Sequence, residues 1–157
     1  MRRPLVVANW KMNMTVSETH AFFVAGHLDL PPEYSKLDIA IAPPLTALTA
    51  AKPECEKRHL LLCAQNCHTQ PSGAFTGEVS AAFLNELGCA FVICGHSERR
   101  TLFGEGEFFV AEKVRRVLDS GMQPILCIGE TLEERQAGHT ERKLAKQLDP
   151  VLKLLKR

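Results

Sequence analysis

Apolar residues along this chain fall into two alternating rhythms, short continuous runs and longer stretches with a helical period. Leu5-Val6-Val7-Ala8 is the first run, Ile39-Ala40-Ile41-Ala42 the second and Leu60-Leu61-Leu62-Cys63-Ala64 the third. Ala90-Phe91-Val92-Ile93-Cys94 and Pro124-Ile125-Leu126-Cys127-Ile128 are the fourth and fifth. Runs of this length, bounded by Gly, Pro or polar residues, predict buried strands. Between them lie helix signals. Thr15-Val16-Ser17-Glu18 is a capping box that predicts a helix through His27, and a short helix from about Ala47 is expected to end before Pro53. Ser80 predicts an N-cap for a helix stopped by Gly88, and Phe109, Val110, Lys113, Val114, Val117 and Leu118 keep a helical period until Gly121. Lys113, inside that apolar period, is expected to run its stem along the core and keep its ammonium in water. Thr131-Leu132-Glu133-Glu134 is a second capping box, opening a charged helix that Gly138 and Pro150 are expected to bend or break, with Leu144, Leu148, Leu152 and Leu155 as its apolar stripe. Five strands alternating with helices predict an all-parallel α/β chain.

A length of 157 residues suits one domain, residues 1–157, with no linker or shift of composition inside it. The formal charge of +1, with acids and bases interspersed, gives no electrostatic footprint for nucleic acid or an anionic membrane. Met1-Arg2-Arg3 resembles the start of a signal peptide, but Asn9 and Lys11 cut the apolar run that follows, so it reads as too short to export or span. Six cysteines are an even number, yet Cys63, Cys89, Cys94 and Cys127 sit in or beside strand-like runs where a free thiol behaves as a small hydrophobe. This predicts a reducing, cytoplasmic setting, in which the sequon Asn13-Met14-Thr15 is a chance match.

Two architectures suit five such units. A doubly wound open sheet needs about this many residues, whereas a (β/α)8 barrel takes about 250, so length by itself favours the open sheet. In either, ligands bind at the carboxyl ends of the strands. Gly95-His96-Ser97-Glu98-Arg99-Arg100 follows the fourth strand and offers an imidazole, a hydroxyl, a carboxylate and two guanidinium groups in a row. Asn9 and Lys11 follow the first strand. A lone lysine is ordinarily a surface residue, but all four of Asn9, Lys11, His96 and Glu98 lie where parallel strands end, so they can converge on an anionic carbonyl substrate. Glu98 reads equally as an ion-pair partner, and Arg99 and Arg100 as structural residues paired with acids such as Glu105 or Glu107. His96 with Glu98 also matches the H-x-E of zinc deaminases, but no P-C-x-x-C accompanies it, so no metal is expected. Gly104-Glu105-Gly106 lacks the third glycine and the preceding strand of a dinucleotide fingerprint and reads as a loop, so no cofactor is expected either. Residues Gln65 to Val79 form a loop longer than most, which predicts a binding or interface element.

Four segments together resemble the triosephosphate isomerase family, in order and spacing: Ala8-Asn9-Trp10-Lys11-Met12-Asn13, Gly73-Ala74-Phe75-Thr76-Gly77-Glu78-Val79-Ser80, Gly95-His96-Ser97-Glu98-Arg99-Arg100 and Cys127-Ile128-Gly129-Glu130-Thr131. The resemblance covers essentially the whole chain and outweighs the length argument, so it implies an incomplete TIM (β/α)8 barrel of five parallel strands. It implies further that Lys11 is the cation that draws in a triose phosphate, that Asn9 helps set the oxyanion end, and that His96 is the electrophile polarising the carbonyl. Glu98 would support Lys11 and His96, and Cys127 would be a packing residue. Thr76 would lie on a loop that enters the second subunit of a homodimer, with Gln65 at the base of the same interface loop.

The family's carboxylate base sits after strand six, in a segment resembling Tyr-Glu-Pro-Val-Trp-Ala, followed by the phosphate-gripping lid. Neither is found in this sequence, so the resemblance implies the N-terminal portion of such a barrel, with strands six to eight absent and a complementing C-terminal half as an implied partner. An open five-stranded arc is expected to leave barrel-interior side chains wet and the outer edges of strands one and five unpaired. The alternatives are a non-catalytic half-barrel serving as an assembly or binding module, and an open-sheet binder of phosphate ligands, which a non-sequential strand order would reveal.

Overall fold

The computed structural model describes residues 3–156. Met1, Arg2 and Arg157 lie outside the described residues, and with them most of the segment compared with a signal peptide. Five strands, β1 (Leu5–Asn9), β2 (Asp38–Ala42), β3 (Leu61–Ala64), β4 (Cys89–Cys94) and β5 (Gln123–Leu126), form one parallel sheet. Their order is sequential, each strand pairing with the next, for example Val7 opposite Ala40 and Ile93 opposite Ile125. A doubly wound sheet reverses direction at a switch point, whereas an arc that only advances is a segment of a barrel. The open-sheet alternative is thereby overturned.

Helices α1 (Val16–Val24), α2 (Leu48–Lys57), α3 (Ala81–Glu86), α4 (Ser97–Leu102), α5 (Glu107–Asp119), α6 (Leu132–Gln136) and α7 (Thr140–Leu155) connect or follow the strands. Both capping boxes form: Thr15 and Glu18 exchange side-chain bonds at the start of α1, and Thr131 and Glu134 do so at α6. The first helix stops at Val24, three residues before the expected His27, because Gly26 and then Leu28 take up positive φ.

The two prolines expected to end helices do not. Pro53 lies inside α2 and Pro150 inside α7. At Pro53 the missing hydrogen bond falls on the solvent side, where water can serve the carbonyl of exposed Thr49, while Leu48, Ala51 and Cys55 hold the buried face. In α7 the helix is held against α5 and Gly138, at φ +74°, makes the only break, separating α6 from α7. The stripe that α7 buries is also displaced from expectation. Gln147 and Val151 are its buried residues, with Leu144 and Leu148 beside them, whereas Leu152 and Leu155 are exposed.

The outer face of the sheet packs Ile41, Leu62, Val92 and Cys94 against Phe23 and Leu48 from the first two helices and Val110, Val114 and Val117 of α5. The inner face carries Ala40, Ala42, Cys63, Phe91 and Ile93. Contrary to expectation these inner residues are dry, with Phe91 6 % exposed and the alanines and Cys63 fully covered. Small side chains on β2 and β3 allow Phe91 and Ile93 to lie across them, while Val7, Leu61 and Ile125 around them are only partly buried and the flank of β1 is open. There Leu5 is 38 % and Val6 52 % exposed.

Candidate active site

The carboxyl ends of β1 and β4 carry the chemistry. After Asn9 the ladder runs one residue further, Trp10 N donating to Ala42 O at 3.1 Å, and then Lys11 turns into the left-handed region at φ +53°. That conformation costs a non-glycine residue about 1–3 kcal/mol, so its surroundings must impose it. Three contacts do. Lys11 N donates to Asn9 Oδ1 at 2.9 Å, Gln65 Nε2 donates to Lys11 O at 2.8 Å, and Lys11 Nζ reaches Glu98 Oε1 at 2.6 Å. Gln65 also donates to Ala42 O at 2.7 Å, so its amide ties the Lys11 turn to the end of β2.

His96 is the N-cap of α4, a helix for which the sequence showed no separate signal. Its Nδ1 accepts the Glu98 backbone N–H at 3.3 Å. A nitrogen that accepts must present its lone pair, which leaves the ring proton of a neutral imidazole on Nε2. Glu98 then spans the site. One carboxylate oxygen holds Lys11 and the other lies 3.3 Å from His96 Nδ1. The hydrogen bond from Lys11, opposed by partial burial, holds the Glu98 carboxyl below its usual value of 4.5. Asn9, Lys11, Gln65, His96 and Glu98 line a single cleft of about 480 Å³.

Thr76 sits at the exposed tip of the 65–79 loop, outside the lining of this cleft, while Gly77, Glu78 and Val79 form part of the wall. The loop is anchored at its base. His68 N donates to Val79 O at 2.8 Å, His68 stacks on Phe75 with centroids 4.5 Å apart, and Arg116 Nε donates to Thr69 O at 2.8 Å. Gln65, expected at an interface through this loop, spends its amide within the chain.

One cluster escaped the sequence reading. Lys113 does not snorkel: it is buried, and its Nζ bonds Glu105 Oε1 at 2.5 Å and Asn66 Oδ1 at 2.7 Å. Arg99 Nε donates to the same Glu105 oxygen at 2.6 Å, as expected for that arginine, and Glu105 Oε2 is buried without a partner among the described residues. Arg100, in contrast, pairs with no acid among the described residues; it bonds the main-chain carbonyls of Gly95 and Cys127. The available signal was a lysine at a core position of an apolar helical face with a glutamate eight residues before it.

All six cysteines are free, and Cys127 is partly buried beside the inner cluster. Burial pushes the Cys63 thiol up to about 12 and those of Cys55 and Cys89 up to about 11, so they are packing groups. Among the described residues no group of three or more His, Cys, Asp or Glu could hold a metal ion, and no helix is long and apolar enough to cross a membrane.

Residues 4–157 match the family model for triosephosphate isomerase. The chain belongs to the triosephosphate isomerase family. It is 51 % identical over 148 residues to the triosephosphate isomerase of Symbiobacterium thermophilum, covering 94 % of this chain and 57 % of that protein. The corresponding protein of Chlorobium phaeovibrioides is 47 % identical over 148 residues, covering 94 % and 59 %, and that of Aquifex aeolicus 45 % identical over 148 residues with the same coverage. The chain therefore spans less than two thirds of the length of these triosephosphate isomerases.

Proposed function

We propose that this chain, as one domain, supplies the cationic and electrophilic half of a triosephosphate isomerase site, which interconverts dihydroxyacetone phosphate and glyceraldehyde 3-phosphate through an enediolate. The observation that carries the reading is the single carboxylate of Glu98 lying between Lys11 and His96 in one cleft. Lys11 draws in the substrate dianion and offsets charge as the enediolate forms, and Asn9 helps set the oxyanion end. His96, neutral with its proton on Nε2, polarises the carbonyl; this family is itself the standard illustration of a neutral imidazole in that role. Glu98 keeps Lys11 in place. The carboxylate base comes from a segment beyond the five strands seen here, after a sixth strand. General base catalysis contributes about 10² to 10⁴ in rate, so the chain without that segment turns over poorly.

The setting follows the same reading: a glycolytic and gluconeogenic isomerase of the cytoplasm, consistent with six free thiols and a net charge of +1, without nucleic-acid or membrane partners. Thr76 enters the second subunit of a homodimer at the tip of its loop. A second reading, a half-barrel that serves as an assembly module, is favoured by the exposure of Leu5 and Val6 at one flank and Ile128 at the other. Titration with 2-phosphoglycolate, a stable anion that mimics the enediolate, separates the two. The isomerase reading expects NMR shifts at Lys11 and His96 that are lost in Lys11→Met, whereas a chain whose site resonances ignore the ligand is a module.

A further inference from the structure

Gly95 stands at the end of β4 with φ +71°, packed so closely that a Cβ there would lie 2.6 Å from Val110 Cγ1 and 2.7 Å from Arg100 Nη2. Among the described residues the guanidinium beneath it is not paired with a carboxylate. Arg100 Nε donates to Gly95 O at 2.8 Å and Nη2 to Cys127 O at 3.1 Å. These carbonyls belong to the ends of two different strands, which the backbone bond from Cys127 N to Cys94 O, 2.9 Å, also joins. Arg100 N, meanwhile, donates to His96 O at 3.1 Å as α4 begins. His96 is thus enclosed in a stretch of six residues, Gly95 to Arg100, whose start, through Gly95 O, and end are held by one side chain. The same arginine lines a second cleft of about 280 Å³ together with Cys127, Gly129 and Gln147, and His96 is the wall shared by the two clefts.

Burial lowers the pKa of the guanidinium by removing hydration from the charge, so the position costs free energy that a freely solvated arginine avoids. A planar fork reaches the two strand ends from two separate nitrogens, Nε and Nη2, a spread that the single nitrogen of a lysine does not reproduce. We propose that Arg100 is a positioning residue for His96: by bonding the carbonyls of Gly95 and Cys127 it fixes the backbone that carries the imidazole, and so selects the orientation in which Nδ1 accepts the Glu98 N–H and the proton rests on Nε2. The catalytic meaning of this rests on the reading of His96 as the electrophile, but the ring orientation does not, and it can be measured without turnover.

The test is a two-bond ¹H–¹⁵N spectrum of the six histidine rings in the labelled chain, read for wild type, Arg100→Met and Arg100→Lys. Wild type shows His96 as a single tautomer protonated at Nε2. Arg100→Met keeps an unbranched apolar stem and removes every donor; it converts His96 to averaged ¹⁵N shifts of mixed tautomers, while His20, His27 and His59, far from this clamp in sequence, keep theirs. Arg100→Lys, able to restore one bond, lies between. A merely structural arginine would lower stability and leave the His96 pattern unchanged in the folded population, and that result overturns the proposal. If Arg100→Met loses the His20 and His27 signals of the folded chain, Arg100→Lys decides: an unaltered His96 ring in that variant also overturns it. Failure of 2-phosphoglycolate to bind, with the tautomer still dependent on Arg100, would remove the isomerase reading and leave the positioning role intact.

Discussion

Glu98 is the residue whose ionisation matters most to the arrangement. Its carboxyl is held below 4.5 by the Lys11 hydrogen bond first, with burial opposing, so its folded pKa is depressed relative to the unfolded chain. The interaction is fully present above the unfolded value and is lost as pH falls through the lower folded value. A ¹³C titration of the Glu98 carboxyl should therefore show a midpoint below 4.5 that rises toward 4.5 in Lys11→Met, and a midpoint at or above 4.5 in the wild type would contradict the ion pair. At this scale the sequence was informative about identity and poor about contacts. Asn9, Lys11, His96 and Glu98 could be picked out because parallel strands end on one face. That Asn9 serves Lys11 N, that Gln65 ties Lys11 O to Ala42 O, and that Arg100 seeks carbonyls where acids were expected depends on distances across β1, β2 and β5 that no spacing reveals.

Among the elements, α5 does more than cover the sheet. It buries Val110, Val114 and Val117, and from the same helix Lys113 and Arg116 reach the base of the 65–79 loop through Asn66 Oδ1 and Thr69 O. Removing one member of a buried ion pair leaves the other charge without its partner, a loss of about 3–5 kcal/mol. Arg99 still holds Glu105, so Lys113→Met should cost about 3 kcal/mol, the lower end of that range, by denaturant unfolding followed by circular dichroism. The double variant Lys113→Met with Glu105→Gln, which removes the stranded charge and keeps an acceptor for Arg99, should recover more than half of the loss. A single variant within about 1 kcal/mol of wild type would show that the cluster contributes little. Helix starts were legible here because Thr15, Ser80 and Thr131 carry their own capping chemistry. Helix ends were less so, since Pro53 and Pro150 are tolerated wherever packing on the buried face outweighs one lost hydrogen bond, and α4 was hidden because its cap is a histidine.

For the molecule as a whole, the alternation of five strands with helices was evident from the apolar runs, whereas closure was not. Periodicity says that strands are parallel and buried; the sequential order β1 to β5 that makes them an arc of a barrel is a property of pairing. The dry inner face likewise depends on which small residues meet Phe91 and Ile93 across the sheet. What results is a cation, an amide and an imidazole held in mutual register at the carboxyl ends of sequential strands, in a chain that spans 57 % of its Symbiobacterium thermophilum relative. The direct test is isomerase turnover of three proteins: this chain, this chain fused to the remaining segment of that relative, and the same fusion with His96→Gln. The account predicts that the fusion interconverts dihydroxyacetone phosphate and glyceraldehyde 3-phosphate at least about 10²-fold faster than the chain alone, and that His96→Gln abolishes most of the gain. Equal turnover by the chain alone, or a fusion indifferent to His96→Gln, would contradict it.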